Sequence, residues 1–337
     1  MSDPVLITIW FAIICLEIGL YIILDGADLG LGVLSLLPGE EKDRALIMHT
    51  IGPIWDANET WIVIAGGTLF GAFPQAYGVI LNALYIPVML MLFGLILRAV
   101  SFEFHAFSIN KRPWSFLFGF GSLIAVLGQG GALGGLLSGI AIENGRFAGH
   151  VLDFITPLTA FITLGILASY AVVGYAYLIK KTGREFKATF LRVMGAAGLT
   201  FIALLGATLI LPQENHLFFT RWTTEPTNGY LFAIVGAIGT LSLFLAYGAV
   251  FKKYTHLLHS ICMLIFVCAA LGLLMGVFPY IAPPSLTIFD AAASRGTLTF
   301  MLWGMGPLIP IVLAYNFYLY RVFADPAHAS RAESYGE

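Results

Sequence analysis

The sequence predicts an all-α, polytopic integral membrane protein. Of its 337 residues, 59% are hydrophobic and 11% are charged, whereas an ordinary soluble domain has about 25% charged residues. Apolar runs of about 20 residues recur along the whole chain, and a helix of that length crosses about 30 Å of hydrocarbon. No segment between these runs is long enough for a soluble domain, so we expect a single membrane domain.

Nine apolar runs, separated by polar breaks, predict nine membrane spans. They cover approximately residues 6–37, 50–73, 77–98, 116–142, 151–179, 187–211, 229–251, 257–280 and 298–323. The fourth run contains the stretch GQGGALGGLLSG around Gln129, whose small residues indicate close helix packing.

The distribution of basic residues predicts the orientation of these spans. Fourteen of the 17 Lys and Arg residues, with Arg98 counted in the loop after the third span, fall on one side of the predicted topology. Only Arg146, Arg221 and Arg295 fall on the other side. Because basic residues concentrate in cytoplasmic loops, we expect the N-terminus outside and the C-terminus in the cytoplasm.

Charge and motifs exclude several classes of protein. A net charge of −2 and a pI near 6.4 exclude a nucleic-acid binder. The chain has no Walker-type loop and no CxxC, HExxH or GxSxG element. The glycines at 26–32 follow a membrane helix rather than a strand, which excludes a dinucleotide site. No Lys or Arg precedes the first apolar run, so we expect no cleavable signal peptide.

Acidic residues mark the inner ends of the first three spans. Asp25 lies 18 residues after Ile7, or about 27 Å along a helix, and Asp28 follows three residues later. Asp56 and Glu59 repeat this spacing in the second span, and an i, i+3 spacing places both carboxyl groups on one helix face. Glu103 follows the third span. We therefore expect five carboxyl groups to converge at one depth on the cytoplasmic side.

Two interpretations of this acidic set stay open. The five groups are either solvated helix-end carboxylates, paired with Arg98 or Lys42, or a site that binds protons. A carboxylate at membrane depth is costly and usually functional, and neighbouring carboxylates favour sharing protons, which supports the second interpretation for the set. Glu17, in the middle of the first span, is either a packed, protonated core group or an inward-facing polar contact.

The histidines and tryptophans are assigned no redox role. A haem in a helical bundle needs axial ligands at membrane depth, and none of the seven histidines is well placed for this. His256 and His259 are expected to form a cytoplasmic interfacial patch beside Lys252 and Lys253. We expect the chain to bind neither haem nor metal, and Trp55 and Trp61 to pack or anchor.

Several motifs together resemble subunit II of cytochrome bd-type quinol oxidases. They follow one another from end to end of the chain: DGADLGLG at 25–32, PIWDANETWI at 53–62, AGGTLFGAFP at 65–74, LRAVSFEF at 97–104, FPYIAPPS at 278–285 and TIFDAAASRGTLT at 287–299.

The resemblance implies a fold of nine helices, arranged as two four-helix bundles plus one helix. Residues 1–150 are then the first bundle with the acidic set, residues 151–280 the second bundle, and residues 281–337 the last helix and a cytoplasmic tail. The resemblance also implies a location in the bacterial plasma (inner) membrane.

The resemblance further implies an enzyme in which this chain has no catalytic residue and binds no cofactor. Subunit I carries haem b and haem d and oxidises quinol at the outer face, and oxygen is reduced to water with protons from the cytoplasm. The expected partners are subunit I, membrane lipid and quinone. A small single-helix subunit is left open.

In such proteins an acidic route through subunit II leads protons towards the haems. Asp25, Asp28 and Asp56 match its motifs, and Glu103 stands where an acidic residue, often aspartate, is expected. Our hypothesis is that Asp25 and Asp56 relay protons, that Asp28 and Glu59 tune them or hold water, and that Glu103 gathers protons at the entrance. The alternatives are a purely structural scaffold subunit and a proton-coupled secondary transporter, which usually places its acids near the midplane.

Overall fold

The computed structural model describes residues 3–37, 40–183, 187–217, 220, 226–251 and 255–323. The predicted cytoplasmic tail beyond residue 323 lies outside the described residues. The helices are α1 Pro4–Ser35, α2 Glu41–Ile51, α3 Trp55–Ala72, α4 Pro74–Ala83, α5 Tyr85–Phe107, α6 Arg112–Ser138, α7 Pro157–Thr182, α8 Lys187–Glu214, α9 Pro226–Phe251, α10 Thr255–Val277, α11 Ile288–Ala291, α12 Arg295–Met305 and α13 Leu308–Val322.

Two short antiparallel hairpins complete the described secondary structure. Strand β1 (Ile142–Glu143) pairs with β2 (Arg146–Phe147), and β3 (Tyr280–Ala282) pairs with β4 (Leu286–Thr287). Asn144 and Gly145 turn the first hairpin with positive φ angles of 50° and 74°, as the Asn-Gly dipeptide of a type I′ turn does. The prediction of a helical protein is confirmed.

Seven stretches of the described residues are long and apolar enough to cross a membrane. They lie in α1, α5, α6, α7, α8, α10 and the α12–α13 pair. The two other predicted spans are helical: residues 50–73 contain α3, and residues 229–251 contain the shorter apolar stretch Gly229–Ser242 of α9. The chain is a multi-pass helical membrane protein, and the count of nine spans stays a prediction.

The predicted third span, residues 77–98, is wrong in its bounds. The chain breaks between α4 and α5 at Leu84. Pro87 has no backbone N–H to offer the carbonyl of Ala83, so the helix cannot continue through this point. Beyond the break, α5 extends past Arg98 to Phe107. Arg98 therefore belongs to a helix and not to a loop, and without it the count of basic residues is 13 against 3.

The ends of the helices gather at two ends of the molecule. We call one of them the basic end, because it carries Lys42, Arg44, Lys111, Arg112, Lys180 and Lys181. There Arg44 Nε donates to the carbonyl of Ser35 at 2.9 Å, closing the end of α1. At the opposite end, Trp10 Nε1 donates to the carbonyl of Leu298 at 3.1 Å. The orientation of the basic end towards the cytoplasm stays a prediction.

Helices α1 and α7 touch through their backbones. A Cβ atom on Gly30 of α1 would lie 1.8 Å from the carbonyl oxygen of Tyr170, and one on Gly174 of α7 would lie 2.7 Å from the backbone nitrogen of Leu31. Such close approach between membrane helices needs small residues. The glycines of α6 act similarly, since Gly134 packs on Thr159 of α7, which confirms close packing for the fourth predicted span.

The contact between α1 and α7 joins helices from the two sides of residue 150, which is the predicted boundary between the two bundles. The division into two bundles stays a prediction.

Candidate functional site

Arg98 is the centre of a buried charged cluster. Its side chain is completely buried, and Nη2 lies 2.7 Å from Asp25 Oδ1 and 3.0 Å from Glu59 Oε2. Asp25 is also completely buried, while the side chain of Glu59 is 17% exposed. Three helices, α1, α3 and α5, thus each contribute one charged group to a single contact.

Asp28 extends this cluster towards α13. It is 1% exposed, and Asn58 Nδ2 donates to its Oδ2 at 2.8 Å. The Tyr320 hydroxyl donates to Asn58 Oδ1 at 3.2 Å. Asn58 therefore holds Asp28 and Tyr320 in place at once, one through each end of its amide.

The cluster contains more acid than base. Asp25 and Glu59 contact one guanidinium, and Asp28 is buried one helical turn from Asp25, so complete ionisation would leave two negative charges uncompensated in this site. Burying an unpaired charge is strongly unfavourable. Bound protons are the simplest way to remove that excess, and two carboxyl oxygens, Asp25 Oδ2 and Asp28 Oδ1, have no hydrogen-bond partner among the described residues.

Asp56 and Glu103 lie outside the buried cluster. Both are exposed on the surface of this chain, and neither carboxylate forms a salt bridge or hydrogen bond to another described residue. Asp56 is in the first turn of α3, where the helix dipole favours negative charge. The structure brings three of the five predicted site residues together and leaves these two at the surface.

A second buried polar group lies one helical turn from Asp25. The Tyr170 hydroxyl donates to Gln129 Oε1 at 3.0 Å, and Gln129 Nε2 donates to the Tyr21 hydroxyl at 2.6 Å. Tyr21 precedes Asp25 by four residues and therefore shares its helix face. The small residues around Gln129 predict a closely packed helix, but no local pattern predicts this link between α1, α6 and α7.

Glu17 is buried and makes a polar contact with α3, which fits both alternatives left open by the sequence. Glu17 is completely buried, and Thr68 Oγ1 donates a hydrogen bond to Glu17 Oε1 at 3.1 Å. The prediction that the tryptophans pack is confirmed. Trp55 stacks on Phe102 with ring centroids 5.1 Å apart, and Trp61 is completely buried.

The position of Arg98 at the centre of the cluster differs from the loop position predicted for it. A signal for it was present, because an arginine inside the apolar stretch 95–100 needs a carboxylate partner at membrane depth. For metals, no group of three His, Cys, Asp or Glu side chains within the described ranges is placed to bind an ion.

These features define a multi-pass helical membrane protein with a buried acidic cluster held by one arginine. Residues 6–323 match the family described as "Cytochrome bd terminal oxidase subunit II". The chain belongs to this family, and it is a subunit of a terminal oxidase.

Individual relatives agree with this assignment. The chain is 25% identical to cytochrome bd-I ubiquinol oxidase subunit 2 of Escherichia coli (strain K12), covering 92% of both chains. It is 27% identical to cytochrome bd ubiquinol oxidase subunit 2 of Bacillus subtilis (strain 168), over 63% of this chain and 65% of that protein. The structure of bd oxidase from Geobacillus thermodenitrificans has the same fold, with a TM-score of 0.73, 18% identity, and coverage of 95% of this chain and 98% of that chain.

Proposed function

We propose that this chain is the haem-free subunit II of a cytochrome bd-type quinol:oxygen oxidoreductase. In this role it stabilises the haem-carrying subunit I and provides a path for protons from the cytoplasm. The observation that carries the proposal is the buried contact of Arg98 with Asp25 and Glu59, because three carboxyl groups with only one guanidinium form a site that binds protons. The haem b and haem d groups and the quinol site belong to subunit I.

Each acidic residue has a role that follows from its position. Asp25 and Asp28 are buried in α1 and hold protons at the end of the path in this chain. Glu59 is partly exposed and also contacts Arg98, so it connects the cluster to the surface. Asp56 and Glu103 are exposed and gather protons. Arg98 keeps Asp25 and Glu59 within reach of each other by binding both.

The exposed positions of Asp56 and Glu103 support a partner on the α3 and α5 side of the chain. Large apolar side chains such as Val63 and Phe93 are also exposed there, at 71% and 55%. A carboxylate in contact with hydrocarbon is costly, whereas a polar or hydrated surface of subunit I would accommodate it. The basic end then faces the cytoplasm of a bacterial inner membrane.

A purely structural role is the second candidate function, and the same ion pair favours it. Arg98 joins α5 to α1 and α3 through completely or largely buried contacts. Removing one member of a buried pair destabilises a protein strongly. If this is the only role, changing the cluster affects assembly and not turnover per assembled complex.

The Asp25→Asn variant separates these two functions. It should be co-expressed with subunit I, and haem content and quinol-driven oxygen consumption should be measured on one preparation. Asparagine keeps an oxygen for Arg98 but cannot carry a proton. We expect normal haem content with lost turnover, and a larger solvent deuterium isotope effect on the remaining activity.

The matched control is Asp290→Asn, because Asp290 is exposed and bonds only to Thr287 beside it among the described residues. It should behave as the wild type in both measurements. Full turnover in Asp25→Asn would exclude the proton path. Parallel loss of haem and turnover would instead assign Asp25 to the structural function.

A further inference from the structure

Among the buried polar atoms without a hydrogen-bond partner in the described residues, three lie one each on α1, α7 and α10. They are Asp28 Oδ1 on α1, the Tyr177 hydroxyl on α7 and His259 Nδ1 on α10. The proton path proposed above uses only the first of them. Buried polar groups are nearly always hydrogen-bonded, to protein or to ordered water, so three such atoms in one region require an explanation.

The three side chains are neighbours. The rings of Tyr177 and His259 are 5.6 Å apart between centroids, and Tyr177 shares a packed cluster with Ala27, the residue before Asp28. Tyr177 is 4% exposed and packs in the cluster of side chains around Leu31 and Leu34, next to Asp28 on α1. The three atoms therefore form a series from α10 through α7 to α1.

The outer end of this series meets the basic end of the molecule. Lys180, three residues after Tyr177 on α7, is exposed. Lys181 Nζ lies 5.8 Å from the centre of the Tyr177 ring and donates to the carbonyl of Phe323. His259 is partly buried, so it is more accessible than the Tyr177 hydroxyl, which is buried.

We propose that His259, Tyr177 and Asp28 form, with bridging water molecules, a second proton path from the basic end to the buried carboxyl cluster. This inference rests on the proposed function, because it supplies a further entrance to the same site. One water would join His259 Nδ1 to the Tyr177 hydroxyl, and another would join that hydroxyl to Asp28 Oδ1. Buried water commonly bridges otherwise unpartnered polar atoms in this way.

Proton transfer along this path needs no other reactant. Imidazole accepts a proton at one nitrogen and releases one from the other. The phenol hydroxyl and each water accept a proton on oxygen and pass on the one they held, and the carboxylate of Asp28 receives the last. Asn58 and Tyr320 are positioning residues: Asn58 Nδ2 donates to Asp28 Oδ2 and leaves Oδ1 for the path, and the Tyr320 hydroxyl holds Asn58 by donating to its Oδ1.

The test is the Tyr177→Phe variant in the complex with subunit I, reconstituted in vesicles. Phenylalanine removes only the hydroxyl. Haem content, oxygen consumption and the rate of proton uptake, followed with a pH-indicating dye, should be measured together. We expect normal haem content with a severalfold slower uptake, and a further loss when Asp56→Asn is added, because the two entrances act in parallel.

Controls separate this path from structural effects and from the proposed function. Tyr318→Phe, at an exposed tyrosine of α13, should match the wild type. His259→Gln supplies a second block at a less buried position, and should also slow uptake severalfold even if Tyr177→Phe impairs assembly.

Wild-type uptake in either assembled variant of the path, Tyr177→Phe or His259→Gln, would overturn this inference. The proposed function is judged separately by Asp25→Asn. If Asp25→Asn loses turnover while Tyr177→Phe and His259→Gln keep it, only the second path fails.

Discussion

Arg98 Nη2 donates to Asp25 Oδ1 at 2.7 Å, and both side chains are completely buried. The pair joins α5 to α1 at a depth where neither charge meets water. Since removal of one member leaves the other uncompensated, Arg98→Gln should lower the stability of the protein by about 3–5 kcal/mol. The measurement is the midpoint of thermal unfolding, together with the yield of complex that copurifies with subunit I.

A double variant shows whether the loss of stability in Arg98→Gln comes from the unpaired carboxylate of Asp25. In Arg98→Gln with Asp25→Asn, the uncompensated carboxylate of Asp25 is gone, so we expect part of the stability to return. Glu59 keeps its charge in this double variant, and recovery should therefore be incomplete. Asp25→Asn alone completes the cycle, and a loss in the double variant equal to the sum of the two single losses would show that the pair is not coupled.

Asp56→Asn tests the surface part of the proton path. Asp56 is exposed and has no side-chain partner among the described residues, so its replacement should leave folding and haem content unchanged. If Asp56 gathers protons, quinol-driven oxygen consumption should fall. Haem content and oxygen consumption should be read on one preparation. Normal values for both would remove Asp56 from the path, and loss of both would assign it to assembly with subunit I.

Gly30→Ala tests the backbone contact of α1 with α7. A Cβ atom at Gly30 would lie 1.8 Å from the carbonyl oxygen of Tyr170, which is backbone and cannot rotate away. Overpacking of this kind costs about 1–3 kcal/mol or more, so the midpoint of thermal unfolding should fall.

Gly19→Ala is the matched control, on the same helix and with nothing within 4 Å of its added Cβ. Alanine favours the helix by up to about 1 kcal/mol over glycine, so this variant should be neutral or slightly more stable. A loss of stability as large as that of Gly30→Ala would contradict the close contact.

Two of the three carboxyl groups of the buried cluster, those of Asp25 and Asp28, could be predicted from the sequence. Asp25 and Asp28 stand out because apolar residues surround them and because their spacing places them on one helix face. Both prove to be buried in α1. The glycines between and after them were read only as excluding a dinucleotide site, although glycines on a membrane helix also indicate close packing.

Contacts between distant segments were beyond prediction from one sequence. Asn58 and Tyr320 are 262 positions apart, and nothing in either local pattern indicates their hydrogen bond. The third apolar run ends at Arg98, which predicts a loop position for this residue. Pro87 predicts a helix break near Leu84, and the helix that begins after this break continues to Phe107. An arginine then falls inside the membrane and requires an acidic partner.

Trp61 and Asn316 tie α3 to α13 by a buried hydrogen bond, with Trp61 Nε1 donating to Asn316 Oδ1 at 2.8 Å. The amide of Asn316 also donates to the carbonyl of Ala57 at 3.2 Å. Asn316→Leu leaves the indole N–H without its acceptor, whereas the Ala57 carbonyl lies within α3 and keeps its helical hydrogen bond. We therefore expect a loss of about 1–3 kcal/mol for the unsatisfied indole N–H.

Trp61→Phe combined with Asn316→Leu distinguishes this hydrogen bond from general packing. The double variant has no indole donor left to satisfy, so its loss should be smaller than the sum of the two single losses. Thermal unfolding of all four proteins, with the wild type included, gives the coupling energy. Strict additivity would mean that the indole N–H finds another acceptor, and that α13 is held to α3 by apolar contacts alone.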